Sequence, residues 1–439
     1  MGRYVTNTRE EQQEMLRAIG YESFDDLYRD VPEQMQIHGE LKIPCGVSEL
    51  EVQRRMEAMA AKNKVFPHIF RGAGAYHHYI PAIVDSVTGK EDFVTAYTPY
   101  QAEISQGNLQ SIFEYQTMIC ELTGMDASNA SVYDGATAAA EGVLMCLDRK
   151  RTGILVSAAV NPQVLKTIRT YCYGRNVAVQ VIPEKEGATD TQALREMLNE
   201  QTACVYIQQP NYYGILEDAE EIGRLAHECK AKYVVGCNPI SLAVLKTPGE
   251  YQADVAVGEG QPLGMPMGFG GPYLGFMAAK QDMLRRLPGR IVGQTVDSQG
   301  KRGFVLTLQA REQHIRREKA GSNICSNEAL CAMKASVYMA AMGPEGMRRA
   351  AINSASMAHY LAEKLQEAGC VVKYSRPFFH EFVTECPVDT GMLLTRLEEE
   401  GILGGLPLSG RELLWCATEL NTKEEIDRLA GIVKEVCGR

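Results

Sequence analysis

No apolar run in this sequence reaches the roughly 18 residues that a membrane span requires. The opening MGRYVTNTREEQQEML has neither the apolar core of a secretion signal nor the composition of a transit peptide, so a cytoplasmic protein is expected. Long basic runs are also missing. With a net charge of −10 the chain lacks the electrostatic footprint of nucleic-acid binding, and an acidic enzyme or enzyme subunit fits better. Cys-x-x-Cys pairs are absent. The thirteen cysteines are scattered and odd in number, and they read as small buried hydrophobes in a reducing cytosol, not as a disulfide framework. The eight histidines hold no ligand spacing, and their one cluster, His77-His78, points two ways on either a helix or a strand, so no metal site is expected. Ser-His-Asp, His-Glu-x-x-His and P-loop signatures, internal repeats and low-complexity tracts do not occur.

What is present is length and order. A chain of 439 residues exceeds one small core and divides naturally into a large and a small lobe; its 45% hydrophobic content is ordinary for a globular protein. Residues 1–60 read as an arm of short helices, with capping boxes at Thr8/Glu11 and Ser48/Glu51. From about Ile104 to Lys280, β-rich runs at Ile154 to Ser157, Val177 to Ile182, Ala203 to Ile207, Tyr233 to Val235 and Asp254 to Val257 alternate with amphipathic segments such as DAEEIGRLAHECKAK. That spacing predicts a mostly parallel sheet covered by helices on both faces, with ligands at the carboxyl ends of the strands.

Between the arm and the sheet lies a glycine- and tyrosine-rich stretch, Arg71 to Gly107. Two readings stand for it: loops lining a site or an interface, or tyrosines that merely pack the lobe. After about residue 320 the pattern changes. Helices stop at Gly343-Pro344 and Gly369, strand-like CVVKY, FHEFVTE and ELLWCAT follow, and a capped helix begins at Thr422 with Ile426, Leu429, Ala430 and Val433 on one stripe. This predicts a small α+β lobe over 321–439.

The segment Val234 to Gly275 carries the chemistry. A strand-like YVV ends in Gly-Cys-Asn, and ADVAV runs into Gly-Glu-Gly-Gln-Pro. The stretch resembles the cofactor segment of the glycine cleavage system P-protein family, whose pattern is D-G-A-N, P-G-D/E, D-V-x-x-x-N-L-H-K-T and G-G-G-G-P. Counted from Pro248-Gly249-Glu250, Asp254, Gly236 and Asn238 match, while Val235 falls on the Asp, Gln261 on the His and Pro262 on the Lys. The carboxylate that pairs with the pyridine nitrogen and the amine that forms the Schiff base are both missing. FRGAGAYHHYIPAIVDSV, TAYTPYQAEISQGNLQSIFEYQTMICELTGM, SVYDGATAAAE, GRIVGQTVDSQGKRGFVLTLQAREQHIRREKAGSNIC and WCATELNTKEEIDRL extend the resemblance along the whole chain. It is to the N-terminal half, which some bacteria make as a separate subunit. The chain departs from the family at His77, usually Asp, and Gly321, usually Thr.

The resemblance implies an α/β fold of the pyridoxal-phosphate transferase type (fold type I), a mostly parallel sheet flanked by helices. It assigns 61–320 to a large domain lacking the cofactor lysine and 321–439 to a small α+β domain. It further implies a homologous lysine-bearing subunit that binds pyridoxal phosphate covalently, assembly as α2β2, glycine as substrate and a lipoyl H-protein as acceptor. Arg71, Tyr76, His77, His78, Tyr97, Tyr100 and Glu103 are the pocket and interface candidates, and no residue here is assigned as catalytic. The degenerate cofactor site would comprise Asp134, Gly135, Thr137, Val235, Asn238, Pro262, Gly270 and Gly271.

Three alternatives stay open. Asp134-Gly135-Ala136-Thr137 opens a helix, and its start is either a plain N-cap or the phosphate seat that the resemblance implies. Gly264, Gly268, Gly270, Gly271 and Gly275 admit close approach of a cofactor or of a partner's backbone. Lys319 in IRREKAGSN, or Lys280, is a displaced Schiff-base amine or simply a solvated lysine, with Glu318 an obvious partner for Lys319. An autonomous cofactor enzyme and a purely structural partner are the competing functions.

Overall fold

Aliphatic runs with both neighbours buried build the centre of the molecule. In the computed structural model, which describes residues 6–39, 41–96, 98–268 and 273–438, the chain forms two compact units, Met1–Lys64 and Val65–Arg439. In the first, helix α1 (Arg9–Ala18) begins at a reciprocal capping box: the Thr8 N–H reaches Glu11 Oε2 at 2.7 Å and the Glu11 N–H reaches Thr8 Oγ at 3.2 Å. Helix α2 (Glu49–Ala60) has only half of the expected box. Ser48 Oγ accepts the Glu51 N–H, but the Glu51 carboxylate turns to Arg55.

The second unit is centred on seven strands, β1 (Ala127–Ser128), β2 (Gly153–Ser157), β3 (Val179–Ile182), β4 (Thr202–Gln209), β5 (Lys232–Cys237), β6 (Val255–Glu259) and β7 (Gly275–Ala279). Their order is β1-β7-β6-β5-β4-β2-β3. The five strands expected from the sequence are mutually parallel, while β7 runs antiparallel to β6 and β1. The sequence reading did not single out β1 or β7; the first is two residues long and the second sits in a glycine-rich stretch that reads as loop.

Alternation along each strand loads the two faces of the sheet. Ile154, Val156, Tyr206, Val234 and Val257 pack under helices α4 (Gly135–Leu144) and α5 (Pro162–Tyr173). Leu155, Val205, Ile207 and Val235 pack under α6 (Ala219–Glu228) on the other face. Helix α3 (Gln106–Thr123) shares a further core with α7 (Ala329–Glu367), which kinks at Gly343 (φ 60°) ahead of Pro344.

After the hairpin β8 (Val292–Val296) and β9 (Arg302–Leu306), a second antiparallel sheet is formed by β10 (Val371–Val372), β11 (Glu381–Glu385), β12 (Leu406–Pro407) and β13 (Glu412–Cys416). Its core collects Phe382, Trp415 and the face of α8 (Lys423–Val436) that carries Ile426, Leu429 and Val433. Among the described residues no helix is long and apolar enough to cross a membrane.

Candidate functional site

A cavity of about 650 Å³ opens at the carboxyl ends of β4, β5 and β6, beside the N-terminus of α4. Its wall is made by loop residues 72–76, Tyr133 to Ala136, Asn161, Tyr206, Gln208, Gly236 to Pro239, Gly258, Glu259, Tyr273 and Glu328. Among these described residues there is no lysine, arginine or histidine, and three are acids: Asp134, Glu259 and Glu328.

Two of the acids hold the start of α4. Asp134 is the N-cap, its Oδ1 accepting the Thr137 N–H at 2.7 Å while Thr137 Oγ accepts the Asp134 N–H at 3.0 Å. Glu259, the last residue of β6, reaches the same turn. Its Oε2 accepts the Gly135 N–H at 2.9 Å, and its Oε1 accepts the N–H groups of Gln261 at 3.0 Å and Leu274 at 3.1 Å. Burial pushes the Glu259 carboxyl up to about 7 against these three donors, with the nearby Asp134 charge adding to the rise. Burial and Asp134 likewise raise Glu328.

Behind the cavity lies a polar network that ties the glycine-rich loop to the second sheet. Tyr76 OH donates to Glu381 Oε2 at 2.7 Å, and the Ala73 N–H donates to Glu381 Oε1 at 2.6 Å. Burial lifts this carboxyl too, to about 7, opposed by the Ala73 and Tyr76 donors. His380, fully buried and near His78, is held well below the usual imidazole range and is neutral at physiological pH. Gln261 clamps the loop by accepting the Tyr76 N–H and donating to the Tyr76 carbonyl, both at 2.9 Å.

The structure distributes the residues picked from sequence unevenly. Tyr76, Asp134, Gly135 and Asn238 line the cavity, and Thr137 completes the capping box of α4 outside the lining. Asn238 Oδ1 is spent on the Ile240 N–H at 2.9 Å. Arg71 instead donates to the carbonyls of Gly404 and Gly405, and His78 Nδ1 meets Glu419 at 2.7 Å; both are tied into the fold. His77 and Glu103 are exposed, and the Tyr100 ring lies under the Arg290 guanidinium.

Val235 does not reach the cavity. Strand alternation turns it into the aliphatic cluster on the opposite face, fully buried with Leu155, Val205 and Ile207. Pro262 is buried in the turn after β6 and is likewise outside the lining, as are Lys280, whose Nζ holds the Gln252 carbonyl, and the exposed Lys319. Gly264 and Gly275 approach their own chain, at Tyr338 and at the Asp134 carbonyl. Tyr97, Gly270 and Gly271 lie outside the described residues.

Glu259, Glu328, Asn161 and Tyr206 were not among the residues picked from sequence. A signal existed for Glu259: the count that sets Pro262 on the family lysine sets this acid on the preceding Asn.

Residues 2–433 match the family model described as glycine cleavage system P-protein. The probable glycine dehydrogenase (decarboxylating) subunit 1 of Desulfitobacterium hafniense (strain DSM 10664 / DCB-2) is 48% identical over 443 residues, covering 99% of each chain. A crystal structure of glycine decarboxylase (P-protein) of the glycine cleavage system, in inhibitor-bound form, superposes with a TM-score of 0.93 at 43% identity, over 99% of this chain and 100% of that one. The alanine–glyoxylate aminotransferase of Nostoc sp., 15% identical, shares the fold with a TM-score of 0.60 over 92% of this chain and 98% of its own. The sheet order, the antiparallel β7 and the flanking helices are those of the fold type I enzymes of pyridoxal phosphate. By its end-to-end sequence match and its fold, the chain belongs to the glycine cleavage system P-protein family.

Proposed function

We propose that this chain is the subunit of a two-part glycine dehydrogenase (aminomethyl-transferring) that does not hold the cofactor. A homologous subunit bearing the lysine binds pyridoxal phosphate, and the two assemble as α2β2 in the cytoplasm. The assembly decarboxylates glycine, releases CO2 and passes the remaining aminomethyl group to the lipoyl arm of H-protein. On the partner, the cofactor supplies an electron sink for the carbon left by loss of CO2.

The observation that supports this reading is a full-length match to subunit 1 proteins in a chain whose strand-end cavity does not fit the cofactor. No amine lines that cavity among the described residues, and in the sequence count Val235 and Pro262 fall on the family's pairing acid and lysine. The role left to this chain is to complete its partner's pocket and to exclude water there. Arg71, Tyr76 and His78 serve that role indirectly, by fixing the glycine-rich loop against the second sheet. His77 and Glu103 are exposed and suit direct contact with the partner, with Tyr100 and Tyr97 on the same aromatic stretch.

The test is reconstitution. The purified chain, a lysine-bearing partner and lipoylated H-protein are assayed, singly and together, for exchange of labelled CO2 into glycine. Only the mixture should exchange, and borohydride fixation should mark a lysine of the partner alone. Exchange by this chain without its partner, or a stoichiometric pyridoxyl adduct on Lys319 or Lys280, overturns the reading.

A further inference from the structure

The first turn of α4 brings backbone N–H groups that have no partner within the helix, and the positive end of a helix dipole, to the cavity at the strand ends, where open α/β sheets hold their ligands. Physically this is a seat for an anion. It is filled from within the chain: the Glu259 carboxylate takes the Gly135 N–H, and Asp134 takes that of Thr137.

We infer that Glu259 is a built-in occupant of this anion seat and makes the cavity refuse phosphate-bearing ligands, directing them away from this chain. The inference rests on the function proposed above and supplies its specificity device: losing a lysine removes one bond to the cofactor, whereas a resident carboxylate rejects the phosphate itself.

Three observations carry it. The first is hydrogen bonding. Glu259 bridges α4, its own loop and the start of β7 through three N–H groups, the arrangement by which a backbone pocket holds an oxyanion. The second is space. A Cβ placed on Gly135 would lie 2.8 Å from the Glu259 Cβ, so the end of β6 abuts the start of α4 and the Glu259 side chain is held at its first turn. The third is charge. Glu328 and Asp134 stand on the same wall, and no basic side chain among the described lining residues would offset a dianion.

The experiment is a calorimetric titration of the full-length chain with inorganic phosphate, pyridoxal phosphate and unphosphorylated pyridoxal. The native chain should bind neither phosphate compound. Glu259→Ala should gain affinity for both by at least about tenfold, with no gain for pyridoxal, because only the phosphate uses the vacated N–H groups. Glu259→Gln keeps the length and one acceptor while losing the charge; it should gain in the same direction, and it carries the test if the alanine variant does not fold. One-to-one phosphate binding by the native chain, displaced by pyridoxal phosphate, overturns the inference. So does a folded variant that remains blind to phosphate. Labelled-CO2 exchange is not part of this readout, so failure here and failure of the proposed activity are told apart.

Discussion

The Tyr76 hydroxyl donates to Glu381 Oε2 across 2.7 Å, joining the glycine-rich loop to a strand 305 residues further along the chain. The same carboxylate takes the Ala73 N–H, so one buried acid holds at two points the loop that forms one wall of the cavity. The consequence is a dependence on pH.

Glu381 is held at about 7 in the folded chain against 4.5 for an ordinary Glu, so the folded state binds its proton more tightly. The sign follows: its contribution to stability is complete below about pH 4.5 and is lost as pH rises through about 7, on the order of 3 kcal/mol in all. Glu259, also held at about 7, acts in the same window. Glu381→Gln removes one of the two titrations, and the Tyr76 hydroxyl can then accept from the new amide. Urea midpoints between pH 5 and 8 should fall less steeply for the variant than for the native chain; equal slopes would show that Glu381 does not titrate there.

Asp254 behaves in the opposite sense. Burial alone would raise its carboxyl, but bonds from His227 Nε2 at 2.9 Å, Lys232 Nζ at 2.8 Å and the Tyr233 N–H at 2.8 Å outweigh it and hold the group at about 2. Its stabilisation is present above about pH 4 and is lost as pH falls through about 2. Asp254→Asn should cost about 2 kcal/mol at neutral pH, and the difference from the native chain should vanish in acid. Paired unfolding curves at pH 7 and pH 2 check both halves.

Gly135→Ala sets two effects against each other. Alanine gains roughly 1 kcal/mol of helix propensity over glycine, but the added methyl meets the Glu259 backbone at 2.8 Å. Backbone cannot yield as a flexible side chain does, and overpacking of this kind costs about 1–3 kcal/mol. A net loss is expected in thermal unfolding; a variant as stable as the native chain would show that β6 and α4 can part freely.

Restoring the missing cofactor groups should fail by way of the fold. Val235→Asp places a carboxyl among Leu155, Val205 and Ile207, outside the cavity lining, and should cost about 4 kcal/mol at pH 7 through its raised pKa. The penalty should shrink at pH 5, where the group is neutral. Pro262→Lys puts an amine into a buried turn outside the cavity lining and should give no borohydride-fixed adduct with pyridoxal phosphate. An adduct in that single variant contradicts the placement of the turn.

His77→Ala and Glu103→Ala remove exposed side chains and should leave the unfolding midpoint within about 0.5 kcal/mol of the native value. With the partner present, a drop in labelled-CO2 exchange at unchanged stability would mark them as interface residues. Unchanged exchange and unchanged assembly would remove them from that role.

How much was legible follows from the range of each interaction. β-branched runs such as GILVS and KYVVGC, the Thr422/Glu425 capping box and the Gly343-Pro344 break act over a few neighbours, so composition and spacing alone determined those strands, helices and ends. The missing amine was legible too, because Pro262 is a fact of the sequence. Which face Val235 occupies was not, since strand alternation had to be anchored by the sheet before its side chain could be assigned to the α6 core and not to the cavity. Arg71 and His78 look free in the sequence and prove to be bound, by carbonyls and a carboxylate more than 330 positions away. Glu259 reads as an ordinary loop acid until the fold brings it 2.9 Å from the N–H of Gly135, 124 residues earlier. Local pattern determined the elements; only the tertiary structure decided which charges meet, because a carboxylate's partners are set by distance in space and not by separation along the chain.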